Sequence, residues 1–372
     1  MKIPLVDLAL QHAEIEAEVR AGFERVMAAS AYVLGPDVAA FENEYAAFCG
    51  SPHCIGTANG TDALELAIRA LGVGPGDEVV LPANTFIASA LAVVRAGAAP
   101  VLVDCEPTHY GLDVGAALDR IGPRTRALMA VDLFGQLADF ASLEEPCRAA
   151  GVALVEDAAQ SQGASFRGRV AGTFGDVAGT SFYPGKNLGA YGDAGAVVTR
   201  RDDLAARVRQ LRNYGSDVKY HHPEQGFNSR LDTLQAVVLR AKLARLPGWN
   251  VLRSAAADRY RALLSDAEGI GLPSVRPGHV HVWHIYAVRV AERDRVIAQL
   301  HAEGIGAGIH YPVPIHLQGA FADLGHRPGD FPHAERAAAE MISLPIYPGI
   351  TSGQQEQVAE ALRRAVARGG SR

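Results

Sequence analysis

Cysteine is scarce in this chain. The four present, Cys49, Cys54, Cys105 and Cys147, stand apart and form no Cys-x-x-Cys pair. That speaks against a disulfide-stapled secreted fold and against common zinc spacings, and it fits reduced thiols in a cytoplasmic protein. Positive charge is also short: 35 Lys and Arg against 41 Asp and Glu leave a formal charge of −6. A general nucleic-acid binder needs a basic face, so nucleic acid is not an expected partner. Long apolar runs are missing too, none reaching the roughly 18 residues of a membrane span. The alanine-rich stretch 86–100 is too short and is interrupted by Arg95. The start, Met1-Lys-Ile-Pro-Leu-Val-Asp, lacks the apolar run of a signal peptide, so no membrane is expected as a partner. No internal repeat or low-complexity linker is present.

What is there suits a large folded protein. The 372 residues are 48% apolar, enough for two domains with sizeable cores. The turn Leu246-Pro-Gly-Trp249 suggests the boundary, giving a large domain over 1–246 with an N-terminal arm and a small one over 247–372. Leu64, Ala67, Ile68 and Leu71 fall at helical spacing, as do apolar positions in 13–29 and 37–49. Short segments at 78–82, 100–104, 126–131 and 152–156, apolar but for one charged end residue each, then alternate with helical stretches at 86–97 and 142–151. Such strands predict a mainly parallel sheet covered on both faces, an α/β fold. Helices over 201–213 and 230–246 follow. A strand over 283–290 with helices near 292–303, 333–342 and 352–368 makes the second domain α+β.

Ligands on parallel sheets sit at the carboxyl ends of the strands, so the polar residues there carry the argument. Lys186 lies in the stretch 180–195 among glycines at 185, 189, 192 and 195, where backbone crowds it. A desolvated lysine has a lowered pKa and a nucleophilic amine. Its best-known use is a covalent bond to the aldehyde of pyridoxal phosphate (PLP). Asp157 follows a buried strand, where a carboxylate can hold a pyridine nitrogen protonated, and Gln160 can turn to the same place. Asn59-Gly60-Thr61-Asp62 opens a helix, which suits either a phosphate or ordinary capping. Phe86 could stack on a flat ring or join the core, and Ser181 could give its hydroxyl to a phosphate. Asn228 and Arg230, before a long helix, could reach an anion or cap that helix. His279, His281 and His284 lack the carboxylate or cysteine that would complete a ligand set, so no metal is expected. The proline-stiffened stretch from His310 and Tyr311 to His316 could shape a polar pocket.

Taken in order, six stretches resemble one family: Asn59-Gly-Thr-Asp-Ala-Leu, Pro82-Ala-Asn-Thr-Phe-Ile-Ala, Glu156-Asp-Ala-Ala-Gln-Ser-Gln-Gly-Ala, Ser181-Phe-Tyr-Pro-Gly-Lys-Asn-Leu-Gly, Arg212-Asn-Tyr-Gly and Gly226-Phe-Asn-Ser-Arg-Leu-Asp. The family is that of the PLP-dependent sugar aminotransferases of the DegT/DnrJ/EryC1/StrS type. The resemblance implies a fold-type I enzyme, a homodimer with shared sites. By it, Lys186 looks like the lysine that bonds the cofactor and shuttles a proton. Asp157 looks like the partner of the ring nitrogen, Gln160 of the ring oxygen, and Phe86 like the stacking residue. Gly60, Thr61 and Ser181 look like phosphate ligands, with Asn228 supplied by the other subunit. Relatives with His at the lysine position run a dehydration, so Lys186 favours amino transfer. The 310–318 loop resembles members acting on nucleotide-linked 3-keto-6-deoxyhexoses, most of all dTDP sugars, with an amino acid, glutamate, as donor. Tyr183, His310, Tyr311 and His316 are the expected sugar contacts, and Arg212 or Lys219 the expected partners of a diphosphate. C4-keto sugars, UDP-sugars and inosose rings remain alternatives. A PLP-binding regulator would bring a DNA-binding helical motif or a basic tail, and neither is visible. A nucleotide-binding protein would bring Gly-x-Gly-x-x-Gly after its first strand, which is absent.

Overall fold

The computed structural model describes residues 2–367. Its centre is a seven-stranded sheet. In chain order the strands are β1 His53–Thr57, β2 Glu78–Pro82, β3 Ala99–Val103, β4 Thr125–Val131, β5 Ala153–Asp157, β6 Val177–Ser181 and β7 Gly195–Thr199. In space they run β1-β7-β6-β5-β4-β2-β3. The pairs from β3 through β6 are parallel, while β7 runs antiparallel to both β1 and β6. The apolar runs read from the sequence are these strands. Val79, Val80, Leu81, Leu128, Met129 and Val155 are all sealed from solvent, as a sheet packed on both faces requires.

Helices cover both faces. Gly60–Ala70 packs on the sheet with a continuous buried side, and Ile87–Ala96 lies beside it. On the other face Phe140–Ala150 packs against β4 and β5, its Phe140, Leu143 and Cys147 turned inward. No helix of the described residues is long and apolar enough to cross a membrane.

A second core forms around a three-stranded sheet, β8 Ile270–Gly271, β9 Tyr286–Val290 and β10 Met341–Leu344, ordered β8-β9-β10. Helices Leu246–Leu264, Arg293–Ala302 and Ser352–Ala367 pack on it. Three details correct the division at residue 246. The N-terminal arm joins this second core. Ile3 is buried in it, Lys2 and Ile3 amides donate to the Gly304 carbonyl at 2.8 and 3.1 Å, and Gly306 donates to Ile3 at 2.7 Å. The 304–306 turn leaves backbone groups unpaired, and the arm satisfies them. Next, Leu246 lies in the large core while Ala256 to Leu264 lie in the small one, so a single helix crosses between the two. The Pro247-Gly248 signal marks the first turn of that helix rather than a linker, since proline is favoured there. Finally, Ile315, Phe321, Phe331 and Ala334 return to pack on the large core.

Candidate active site

The ends of β5 and β6 and the starts of helices Gly60–Ala70 and Ile87–Ala96 come together on one side of the sheet, Gly60 against Ser181 and Ser89 against Asp157. β5 is apolar through Val155 and ends in Asp157, whose carboxylate is buried. Its Oδ2 accepts from Ser89 Oγ at 2.6 Å and its Oδ1 from the Ala159 amide at 3.2 Å. Ser89 Oγ also lies 2.9 Å from Thr85 Oγ1. Burial raises the Asp157 pKa; the Ser89 and Ala159 bonds and the charge of Lys186 oppose it. The cavity thus pairs an acid with a cation across neighbouring strand ends.

Lys186 is carried by the loop that joins β6 to β7, with its amide donating to the Tyr183 carbonyl at 2.8 Å. Its chain is half-buried and its amine is withdrawn from solvent. Desolvation pulls the ammonium pKa down to about 8, and Asp157 pulls it back up. A lysine near 8 carries a useful neutral fraction at neutral pH, which a nucleophile or base needs.

Gly60 sits where no side chain fits. A Cβ there would lie 2.5 Å from Ser181 Cβ and 3.1 Å from Ser181 Oγ. Asn59 caps the helix, accepting from the Asp62 amide at 2.8 Å, so capping and an anion site coexist. The amides of Gly60 and Thr61, at the first helical turn, have no helical carbonyl to meet. Gly60 lies against the Ser181 hydroxyl, so a helix start and a hydroxyl meet at one place, a combination suited to a small anion. Phe86 ends the β2 connection with 48% of its surface exposed and its ring 5.0 Å from that of Tyr311. An open aromatic face over buried polar groups suits a flat ring.

The small core supplies the opposite wall. His310 Nδ1 lies 2.8 Å from Ser343 Oγ, and burial followed by the charge of Lys186 pushes its pKa down to about 4. Tyr311 receives a hydrogen bond from Gln160 Nε2 at 3.0 Å, and Gln160 Oε1 accepts from the Phe134 amide at 2.7 Å. Burial, then the Asp157 charge, raises the Tyr311 phenol. Tyr183 is exposed at the mouth. Asn228 is exposed on a segment whose Ser229 holds Asp62 at 2.8 Å. Among the described residues no hydrogen bond ties Asn228 to Lys186 or Ser181.

Two expectations fail here. His316 is buried away from this group, with Nε2 2.9 Å from Glu335 and its ring 4.7 Å from Phe331. The short helical turn Ile315–Leu317 aims it into the large core, so it is not a sugar contact. Arg212 is buried against Glu42 and donates to the Gly56 carbonyl at 2.7 Å. It braces β1 and cannot meet a diphosphate. Lys219 is exposed beside Tyr220, and Arg230 is occupied by Asn213 and Tyr214. The three histidines part company: His279 packs on Phe166, His281 stacks on Trp283, and His284 Nδ1 lies 3.3 Å from Asn187 Oδ1. Sequence reasoning missed Ser89 and Asn187. A hydroxyl one turn after Phe86, and an amide beside the lysine, were the available signals.

A fold-type I layout with an Asp–Lys pair and an anion cradle defines an aminotransferase-like site. The profile of the DegT/DnrJ/EryC1/StrS aminotransferase family matches residues 13–363, and the chain belongs to that family. It is 48% identical to a Streptomyces venezuelae dTDP-3-amino-3,4,6-trideoxy-alpha-D-glucose transaminase, over 97% of this chain and 96% of that one. The crystal structure of S. venezuelae DesV superposes with a TM-score of 0.95 at 48% identity, covering 97% of this chain and 98% of its own. NtdA from Bacillus subtilis, solved with bound cofactor PMP, superposes with a TM-score of 0.89 at 30% identity, covering 98% of this chain and 83% of its own.

Proposed function

We propose that the chain is a PLP-dependent aminotransferase of amino-sugar biosynthesis. It takes the amino group of an amino acid, glutamate, and places it on a nucleotide-linked keto-sugar, a dTDP-3-keto-6-deoxyhexose. The observation that carries this is the buried Asp157–Lys186 pair, together with the exposed ring of Phe86 and the close meeting of Gly60 with Ser181. The likeness to the S. venezuelae transaminase supports the sugar class.

The residues present fit the cofactor. Gly60, Thr61 and Ser181 would hold its phosphate, Phe86 would take its ring, and Asp157 and Gln160 would meet the ring nitrogen and the ring oxygen. When bound, the cofactor supplies an electron sink for the charge left when an α-proton departs. Asp157 would keep the ring nitrogen protonated, and its burial would strengthen that ion pair. Lys186 Nζ, in its neutral form, takes the proton from the α-carbon of the donor and later returns one to the sugar carbon that becomes the amine carbon. Atoms balance as amino acid plus keto-sugar giving 2-oxo acid plus amino-sugar. Tyr183, His310 and Tyr311 line the sugar side, where neutral His310 and a protonated Tyr311 offer hydroxyl-matching groups.

Two copies complete the site in this reading, the second bringing Asn228 to the phosphate. Exposed Tyr183, Tyr214 and Tyr220, with the apolar run Tyr32-Val33-Leu34, support a covered face. Four free, buried cysteines support a reducing, cytoplasmic setting. The test is the visible absorbance of protein reconstituted with PLP, before and after L-glutamate, then during titration with dTDP-keto-sugars. A band that bleaches with glutamate and returns with the keto-sugar is expected. Absence of any band removes the aminotransferase reading.

A further inference from the structure

Asn250 stands near the start of helix Leu246–Leu264, the helix that crosses from the large core to the small one. Its side-chain amide joins the two loops that follow Asp157 and surround Lys186. Asn250 Nδ2 donates to the Gln162 carbonyl at 3.0 Å, in the loop after Asp157. Asn250 Oδ1 accepts at 3.0 Å from Nδ2 of Asn187, the residue next to Lys186. The same Asn187 Nδ2 donates to the Val282 carbonyl at 2.9 Å, in the segment that leads into the small sheet. The backbone makes room for this arrangement. Gly163 is held at a φ of 92°, a conformation that favours glycine, and a Cβ there would lie 2.7 Å from Asn250 Nδ2.

The direction of each bond is fixed. A backbone carbonyl only accepts, so Val282 makes Asn187 Nδ2 a donor and Gln162 makes Asn250 Nδ2 a donor. Asn250 Oδ1 is left as the acceptor between them. Neither amide can turn round without setting oxygen against oxygen. Asn187 and Gln162 are buried, so a group released from this chain of bonds would find no ready water. Gln162 extends the tie to the next strand. Its Nε2 donates to the Ser181 carbonyl at 2.9 Å and to the Thr180 hydroxyl at 3.0 Å, where β6 ends. Within the Lys186 loop, the Lys186 amide bonds the Tyr183 carbonyl and the Ala190 amide the Phe182 carbonyl, each at 2.8 Å. Those bonds close the loop on itself, and the Asn187 side chain ties it outward. A reacting pair must be held to a fraction of an ångström by such supporting groups.

We infer that Asn250 is a positioning residue for the Asp157–Lys186 pair: through Gln162 and Asn187 it sets the loop of the carboxylate against the loop of the amine, from the helix on which both cores are mounted. Its meaning for turnover rests on the proposed aminotransferase reading, but the tie itself belongs to the cofactor-free protein. The test is hydrogen-deuterium exchange of cofactor-free protein, read by mass spectrometry on peptides covering 157–164 and 181–190. Asn250→Ala removes both bonds and should speed exchange in both peptides about fivefold, with residues 256–264 of the same helix at the wild-type rate. Asn250→Asp keeps the acceptor for Asn187 and loses the donor to Gln162, so it should speed exchange in 157–164 and spare 181–190. In protein loaded with PLP, the saturating rate at which L-glutamate bleaches the cofactor band should fall roughly tenfold in Asn250→Ala, with the half-saturating glutamate concentration unchanged. Wild-type exchange in both peptides overturns the inference, as does a uniform rise across the chain, which would mean lost stability alone. A wild-type bleaching rate in Asn250→Ala overturns it too. Should neither variant fold, the side-chain amide protons of the wild type decide by nuclear magnetic resonance: slow exchange at Asn187 and Asn250 supports the tie, and fast exchange overturns it. Failure of the aminotransferase reading would show separately, as a missing cofactor band in the wild type, because the exchange measurement needs neither cofactor nor substrate.

Discussion

Glu156 and Asp157 are neighbours on β5, both acidic, both buried, and they serve opposite faces of the sheet. Asp157 looks into the cavity, where Ser89 and Lys186 meet it. Glu156 looks the other way. Its two oxygens accept from the Gly172 and Phe174 amides at 2.7 and 2.8 Å, pinning a turn, and it faces Asp132. Asp132 in turn accepts from the Ala138 amide at 2.9 Å and from Ser161 at 2.8 Å. Burial raises both β5 carboxyls. Glu156 is pushed up to about 7, and Asp132, sealed beside it, stands well above its usual range. Burial alone therefore does not mark a catalytic acid. The distinction is the partner: a cation in an open cavity on one face, backbone amides and a second acid on the other.

Substitutions can break that contrast. Lys186→Ala should have the largest effect, removing the base and lowering turnover by roughly 10³-fold or more, measured as oxo-acid release. Asp157→Asn should lower turnover by about 10²-fold with the melting temperature little changed. Glu156→Gln should do the reverse, costing about 1–3 kcal/mol of stability in denaturant titration while leaving turnover close to wild type. An equal loss of turnover in the two carboxylate variants would erase the distinction.

The pH dependence sharpens it. A carboxyl whose folded pKa lies above its unfolded value stabilises the fold most at low pH. That contribution is full below the unfolded value near 4.5 and is lost as pH rises through the folded value of about 7. Glu156→Gln should therefore flatten the stability profile between those limits, seen as melting temperatures converging on wild type toward neutral pH. The smallest effect belongs to Ser89→Ala. Removing the 2.6 Å bond to Asp157 should cut turnover about tenfold without moving the Glu156 profile.

Much of this was legible before folding. β2 ends at Pro82 and helix Ile87–Ala96 fills the stretch read as helical, because apolar runs and glycine stops dominate there. Lys186, Asp157, Gly60 and Ser181 each sat beside a local marker, a strand end or a glycine. The residues that went wrong had no such marker. His316 and Arg212 read as an available ring and cation, yet each met an acid on another element, Glu335 at a separation of 19 residues and Glu42 at 170. Local pattern carries no information about a partner more than a hundred residues off, as with Arg212. The N-terminal arm escaped for the same reason: its place depends on open backbone groups at residues 304–306.

Order and composition along the chain suffice for the alternating strands and helices, the family, and the lysine and aspartate proposed for the chemistry, because each rests on short-range periodicity or on a compact motif. Which face each acid serves follows from strand alternation once the register is known. Which cations are free, where the two cores exchange segments, and why His284 stands beside Asn187 depend on contacts closed across long stretches of chain, and those exist only after the sheet and the helix Leu246–Leu264 have brought the ends together.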